Sequence, residues 1–223
     1  MAIDDNQLSR EAVLARVRSA LGRVGPDDDA RAAAHAYLAA RAQGPRPALP
    51  ADLVQRFLDR ARDMSSTTNR VAALEDVPPA VVRYLRTVGA PTAIAGVCWP
   101  EFATLGWNHA GVHVESRPTV GHDALGITGC FCAIAETGTL VFMTGTPTPS
   151  ATFLLPETHV AIVRADQIVF AMEDAFARIR SERGDLPRAV NLVSGPSRTG
   201  DIEQTIVLGA HGPRRVHIVV VDQ

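Results

Sequence analysis

The chain has 223 residues, 46% of them apolar and 21% charged, which suits a soluble globular protein with a normal core, either one large domain or a domain with an added helical arm. A formal net charge of -2 and an aromatic content of 5% exclude broad attraction to nucleic acid or anionic lipid and leave few platforms for stacking bases. There is no run of about eighteen apolar residues, and the opening MAIDDNQLSREAV is charged where a signal peptide needs an apolar core, so the chain is expected to be cytoplasmic with no membrane insertion.

Residues 8–21 place Val13, Leu14, Val17 and Leu21 at helical spacing, with Ser9 as a candidate cap and Gly22, Gly25 and Pro26 as the stop. Segment 27–50 is rich in Ala, Asp, Arg and Pro and accommodates a short helix around 30–42 with a weak apolar face. Residues 1–50 are therefore read as a helical arm that packs late or contacts another subunit, with a homo-oligomer as one expectation. The α/β domain is assigned to residues 51–223.

Leu53, Val54, Phe57, Leu58 and Ala61 form the apolar stripe of a helix running to about Met64, and the polar run 65–69 reads as a break. Strand 70–74, helix 79–88 closed by Gly89, strand 92–97, a loop at 107–109 and strand 111–115 follow. From Ile127 the pattern becomes strand-rich. Segments 132–135 and 140–143 flank Glu136-Thr137-Gly138-Thr139, a four-residue turn with glycine where positive φ is needed, so this is a hairpin. Strand 160–163 and an amphipathic helix over 170–180 come next.

Segment 189–193 reads as a strand that empties into Ser194-Gly195-Pro196-Ser197-Arg198-Thr199-Gly200. A helix is predicted from Asp201, whose spacing to Gln204 is that of a capping box; Gly209, His211, Gly212 and Pro213 then lead into the apolar run 216–221. Strand, polar loop, helix and strand make a βαβ unit. Ligands in open α/β sheets lie outside the carboxyl ends of such strands, which makes the loop the first candidate site. Several runs are continuously apolar, so the sheet is expected to be covered on both faces.

Glu136 sits directly after a buried-looking strand, where partial desolvation would raise its pKa and suit it to act as a general base or nucleophile. The plainer reading is a turn carboxylate accepting the N–H of Gly138 or Thr139. Asp201 and Glu203 open a helix where unpaired N–H groups attract anions, but two carboxylates there compete with a bound anion, and Arg198 is the only local offset. Neither GxGxxG nor GxxxxGK[ST] is present. Asp201 as a simple cap stands beside a site for hydroxyls, an amine or a cation. Ser194, Ser197, Thr137 and Thr139 offer hydroxyls to a substrate, without the GxSxG elbow of a hydrolase.

His109, His113, His122, Asp123, His159 and His211 lack any tight ligand spacing, so no metal is assigned, and His211 alone is kept as a site candidate. Cys98, Cys130 and Cys132 are read as free thiols in a reducing compartment, Cys130 and Cys132 as core thiols on one strand face. Three cysteines fall short of the four thiolates that an iron–sulfur cluster usually requires, so the chain is expected to carry no cofactor of its own.

The segments Gly126-Ile127-Thr128-Gly129, Ala133 through Thr139, Leu154-Leu155-Pro156 with His159, Ser194 through Glu203, and Gly209-Ala210-His211-Gly212-Pro213 occur in the order seen in the LUD domain, and the chain resembles that family over essentially its whole length. The resemblance implies a three-layer α/β sheet with helices on both faces, similar to the sugar-phosphate isomerase and CoA-transferase group. It also implies a part in bacterial oxidation of L-lactate to pyruvate alongside two partner proteins that carry iron–sulfur clusters. Two positions depart from the family pattern: Phe131 stands where an acidic residue is common, and Ser150 lies near a usual arginine.

Three functions compete. The first is a cytosolic accessory subunit of a lactate-oxidising complex. Its cleft between the Glu136 hairpin and loop 194–203 would bind a small organic acid or a partner through Thr137, Gly138, Thr139, Ser194, Gly195, Ser197, Arg198, Asp201, Glu203 and His211. The second is a stand-alone isomerase or acyl/CoA-transfer enzyme with Glu136 as base or nucleophile. The third is a small-organic-acid sensing module, because fold alone never fixes function.

Overall fold

The computed structural model describes residues 2–22, 27–48, 50–90, 95–184, 187, 189–199 and 207–223. The chain divides into two compact units, Met1–Pro47 and Ala48–Gln223. The first holds helices α1 (Ala2–Ala20) and α2 (Asp28–Ala40). Ser9 lies inside α1 and so is not its cap. Asp27 caps α2 by accepting the Ala30 N–H at 2.8 Å, and Asp28 and Asp29 put negative charge at the positive end of the helix dipole. No α2 residue is buried, and Leu8, Val13, Val17, Leu21, Tyr37 and Leu38 stand exposed.

The second unit opens with α3 (Leu53–Asp63), whose N-cap Asp52 accepts the Gln55 N–H at 2.9 Å and whose buried stripe is Phe57, Leu58 and Ala61. Strand β1 (Thr67–Val71) begins inside the polar run that reads as a break. It is an edge strand with partly exposed residues, so it does not need the apolar side chains by which a strand is recognised. Helix α4 (Val77–Thr87) carries Pro78 and Pro79 in its first turn, where missing N–H groups leave no bond unmade; it buries Val77, Val81, Tyr84 and Leu85.

The order continues with β2 (Ala95–Cys98), α5 (Trp107–Ala110), β3 (His113–Glu115), β4 (Leu125–Thr128), β5 (Cys132–Ile134), β6 (Thr139–Met143), α6 (Ala151–Leu154) and β7 (Thr158–Arg164). It closes with β8 (Ile168–Val169), α7 (Met172–Arg183), β9 (Val190–Val193), β10 (Arg198–Thr199), β11 (Val207–Leu208) and β12 (Arg215–Val221). Residues 107–109, expected as a loop, form part of the single turn α5, and the first residues of the strand expected at 92–97 lie outside the described residues.

Six strands make one parallel sheet in the order β1-β12-β7-β4-β2-β3. Strand β7 is buried from Thr158 to Val163 and β12 from Val216 to Val221. Successive side chains point to opposite faces, so unbroken burial means that both faces are covered, as the continuous apolar runs imply. The α/β class is therefore the one the sequence indicates, but its strands do not share one sheet. Four of them form a second, mixed sheet in the order β8-β5-β6-β9, built on the expected β5–β6 hairpin.

Alternation splits the second sheet between two cores. Ala133, Leu140 and Phe142 join the main cluster, while Cys132, Ile134 and Val141 pack with Ala175 and Ile179 of α7. Cys130 and Cys132 therefore do not share a strand face: β5 starts at Cys132, and Cys130 belongs to the main cluster.

The expected βαβ unit is not formed. Strand β9 pairs antiparallel with β6, Val193 opposite Leu140, whereas β12 lies in the parallel sheet between β1 and β7. An apolar run specifies a strand but not the sheet it joins. The helix expected from Asp201 lies outside the described residues; just beyond them Val207 and Leu208 pair as strand with Thr199 and Arg198. Among the described residues no helix is long and apolar enough to cross a membrane.

Candidate functional site

The hairpin turn and loop 194–198 meet at the carboxyl end of α3. Gly138, at φ +69°, lies so close to that helix that a β-carbon built on it would stand 2.4 Å from Ala61 N. Gly195, at φ +76°, approaches Met64 in the same way, a β-carbon there falling 2.0 Å from the Met64 carbonyl oxygen. Both positions need glycine for conformation and for space. Arg198 donates to the Met64 carbonyl at 3.3 Å and to the Ser65 hydroxyl, so its guanidinium serves the last carbonyls of the helix.

Hydroxyls join the two loops. Thr137 Oγ1 and Thr139 Oγ1 share a hydrogen bond of 2.7 Å, and Thr139 Oγ1 shares another of 2.6 Å with Ser194 Oγ. Ser197 is enclosed by the segment after β11: its N–H donates to the Pro213 carbonyl at 2.9 Å, its carbonyl accepts the Gly209 N–H at 2.9 Å, and its hydroxyl accepts the His211 N–H at 3.3 Å. The structure thus brings Thr137, Gly138, Thr139, Ser194, Gly195, Ser197, Arg198 and His211 into one region. It uses most of their polar groups to hold the loops and the helix end together. Asp201 and Glu203 lie outside the described residues.

Glu136 is the exception. Its backbone N–H is fixed by the Phe170 carbonyl at 2.9 Å, but its half-buried carboxylate has no hydrogen bond or ion pair among the described residues, including from Gly138 or Thr139. A half-buried, unpaired carboxylate on an anchored backbone can accept a proton or a hydrogen bond from a ligand.

The residues set aside for metal binding do not converge: among the described residues there is no group of three or more histidines, cysteines or acids placed to hold an ion. His159 is fully buried and shares a hydrogen bond of 2.8 Å with Thr128 Oγ1. Asp123 is the buried partner of Arg117, which donates to it at 2.6 and 2.9 Å. The Arg117 bonds, aided by Val120 N–H and Thr119 Oγ1, hold the Asp123 carboxyl at about 2 against the upward push of burial. Arg117→Met should bring that carboxyl back to or above its ordinary 3.8. Carbon-detected NMR titration of Asp123 reads this directly, and an unchanged value would refute the assignment.

Arg117 also borders a cavity of about 150 Å³ with Cys98, Ser116 and Thr146; burial pushes the Cys98 thiol up to about 11. At the departure from the family pattern, the Phe131 ring faces the Arg178 guanidinium, 5.6 Å from the ring centroid, so a cation–π contact holds this arginine where an acid would form an ion pair. Ser150 precedes α6 without capping it.

The parallel central sheet, covered by helices and joined by a hairpin-bearing second sheet, defines the protein as an α/β domain. The LUD domain family model matches residues 107–221, from α5 through β12. Lactate utilization protein C of Deinococcus radiodurans is 32% identical over 184 residues, covering 79% of this chain and 83% of that protein. The chain belongs to the LUD domain family. Lactate utilization protein C of Bacillus licheniformis is 34% identical over 128 residues, 56% of this chain and 53% of that protein. Lactate utilization protein C 1 of Bacillus mycoides is 42% identical over 101 residues, 44% and 43% of the two chains. The solved structure of a DUF162 family protein from Deinococcus radiodurans has the same fold, with a TM-score of 0.56 at 24% identity over 78% of this chain and 99% of that one.

Proposed function

We propose that the protein is an accessory component of a bacterial lactate utilization system, acting in the cytosol beside iron–sulfur proteins that carry the electrons. The observation that carries this reading is the relationship to lactate utilization protein C along 83% of the Deinococcus radiodurans protein. The chain's three cysteines support the division of labour, since all are buried and burial pushes the thiols of Cys98 and Cys132 up to about 11 and that of Cys130 higher still, away from the thiolate form that binds metal. The Glu136 hairpin and loop 194–198 are the surface offered to a small organic acid or to a partner.

The test is growth on L-lactate of a bacterium deleted for its own lactate utilization protein C and supplied with this chain. Restored growth, with recovery of iron–sulfur proteins on a tagged copy, is the expected result; failure of growth despite soluble expression would overturn it. The unpaired Glu136 carboxylate favours a second reading, an isomerase or acyl-transfer enzyme. On that reading the isolated chain turns substrate over, and Glu136→Gln abolishes both turnover and growth. On the accessory reading the isolated chain turns no substrate over, with or without Glu136→Gln.

A further inference from the structure

Strand β2 is followed in sequence by β3, which extends the parallel sheet to one edge, while β4 is followed by β7 and β12 toward the other. The order therefore reverses between β2 and β4, and the carboxyl ends of these strands flank the crevice where ligands of open α/β sheets bind. Glu101 follows β2 there. Its neighbours hold it in place: Trp99 and Phe102 are 4% and 5% exposed, and the Trp99 N–H donates to the Ile127 carbonyl at 3.0 Å. Gly129 follows β4 and admits the Glu101 side chain, since a β-carbon on Gly129 would stand 2.8 Å from Glu101 Oε1. Arg164 ends β7, the next strand in the sheet.

Both charged side chains are accessible, and neither has a hydrogen bond or ion pair among the described residues. They sense each other: burial by the surrounding protein raises the Glu101 carboxyl, and the Arg164 charge pulls it back. An unpaired carboxylate and an unpaired guanidinium at the ends of the two strands that flank β4, whose own end carries a glycine, form a bipolar seat. A guanidinium binds a carboxylate, and a carboxylate accepts a hydrogen bond from a hydroxyl or ammonium.

We propose that Glu101, Gly129 and Arg164 form a binding site for a small organic acid with a hydrogen-bond donor on the carbon next to its carboxylate, Arg164 taking the carboxylate and Glu101 the donor. None of these three residues belongs to the Glu136 hairpin or to loop 194–198. The choice of a 2-hydroxy acid as first ligand rests on the lactate-utilization reading, but the geometry does not.

The test is calorimetric titration of the full chain with L-lactate, L-alanine and pyruvate, the first two carrying the donor as hydroxyl or ammonium and the third lacking it. Saturable binding of L-lactate or L-alanine, at least tenfold tighter than pyruvate and weakened at least tenfold by Arg164→Met, is expected. Glu101→Ala should remove the preference over pyruvate, and Gly129→Ala should weaken binding by displacing the Glu101 carboxylate, while unchanged melting temperatures show that the variants are folded. Absence of saturable binding by either donor-bearing acid, equal binding of pyruvate, or binding untouched by Arg164→Met in a folded variant would overturn the proposal. Growth on L-lactate is read separately, so a chain that restores growth without binding these acids refutes the site alone, and one that binds them without restoring growth refutes only the functional reading.

Discussion

Lowering the pH from 6.5 to 5 should remove about 3 kcal/mol of folding stability, because two histidines are buried in a neutral state. His159 is fully enclosed, with ring centroids of Phe142 and Phe153 at 5.8 and 6.0 Å, and its Nδ1 has no partner among the described residues. His217 is 1% exposed, shares a hydrogen bond of 2.9 Å with Thr67 Oγ1 and stacks on Tyr84 at 3.9 Å. Burial lowers their pKa values to about 3 and about 4, from an ordinary 6.5.

The sign follows from where protons bind. Below pH 6.5 the unfolded chain takes up two protons that the folded chain refuses until pH 4 to 3, so acid favours unfolding across that window. Each histidine contributes a slope that grows from about 0.7 kcal/mol per pH unit at pH 6.5 to about 1.4 as the unfolded ring becomes fully protonated, and the loss is complete only below the folded values. Urea unfolding at a series of pH values between neutrality and 5 measures it. His217→Phe should halve the slope, and a flat profile in the parent chain would show that the rings are protonated in the folded state.

Gly138→Ala should cost about 3 kcal/mol, the sum of two effects of about 1–2 and 1–3 kcal/mol. The first is the left-handed backbone at φ +69°, which disfavours any β-carbon. The second is collision with backbone that has nowhere to go: Ala61 N, the Arg60 carbonyl carbon and Ala61 Cα lie 2.4, 2.5 and 2.8 Å from the new atom. These atoms belong to the helix that buries Phe57, Leu58 and Ala61, so the hairpin cannot yield without opening the main core. Gly111 provides the control, since it is left-handed at φ +85° but has open space around its β-carbon position. Gly111→Ala should show only the conformational cost, and equal losses from the two substitutions, read by urea unfolding, would discount the contact with α3.

The hairpin was legible because its signals are local. Two apolar runs flank a turn whose glycine needs positive φ, and both register and turn are set within a dozen residues. The strand at 189–193 is legible but its sheet is not, because its pairing is not local: 189–193 and 216–221 look alike in composition, yet one becomes the edge of a mixed sheet and the other an interior parallel strand. Strand β1 was partly missed for a related reason, since Thr67, Thr68 and Asn69 occupy an edge that tolerates polar side chains.

The residues around the Glu136 hairpin were identified by type, and the structure gathers those it describes. What sequence did not convey is that Gly138 and Gly195 lie against α3, and that Arg198 is engaged by Met64 and Ser65. Glu101 and Arg164 gave no sequence signal, because each is an ordinary charged residue after an apolar run. Their juxtaposition comes only from the strand order β2-β4-β7.

Strand β12 runs between β1 and β7, although 150 residues separate Thr67 from its neighbour His217. A ribosome delivers β1 before β12, which comes after every other strand of this sheet, and among the described residues β12 is the sole sheet neighbour of β1. Until it arrives, the apolar flank of β7 from Val160 to Val163 and the whole of β1 lack their partners along the sheet. The sheet therefore closes only after synthesis has passed Val221, and from the completion of β7 until then the nascent polypeptide carries an open slot between β1 and β7.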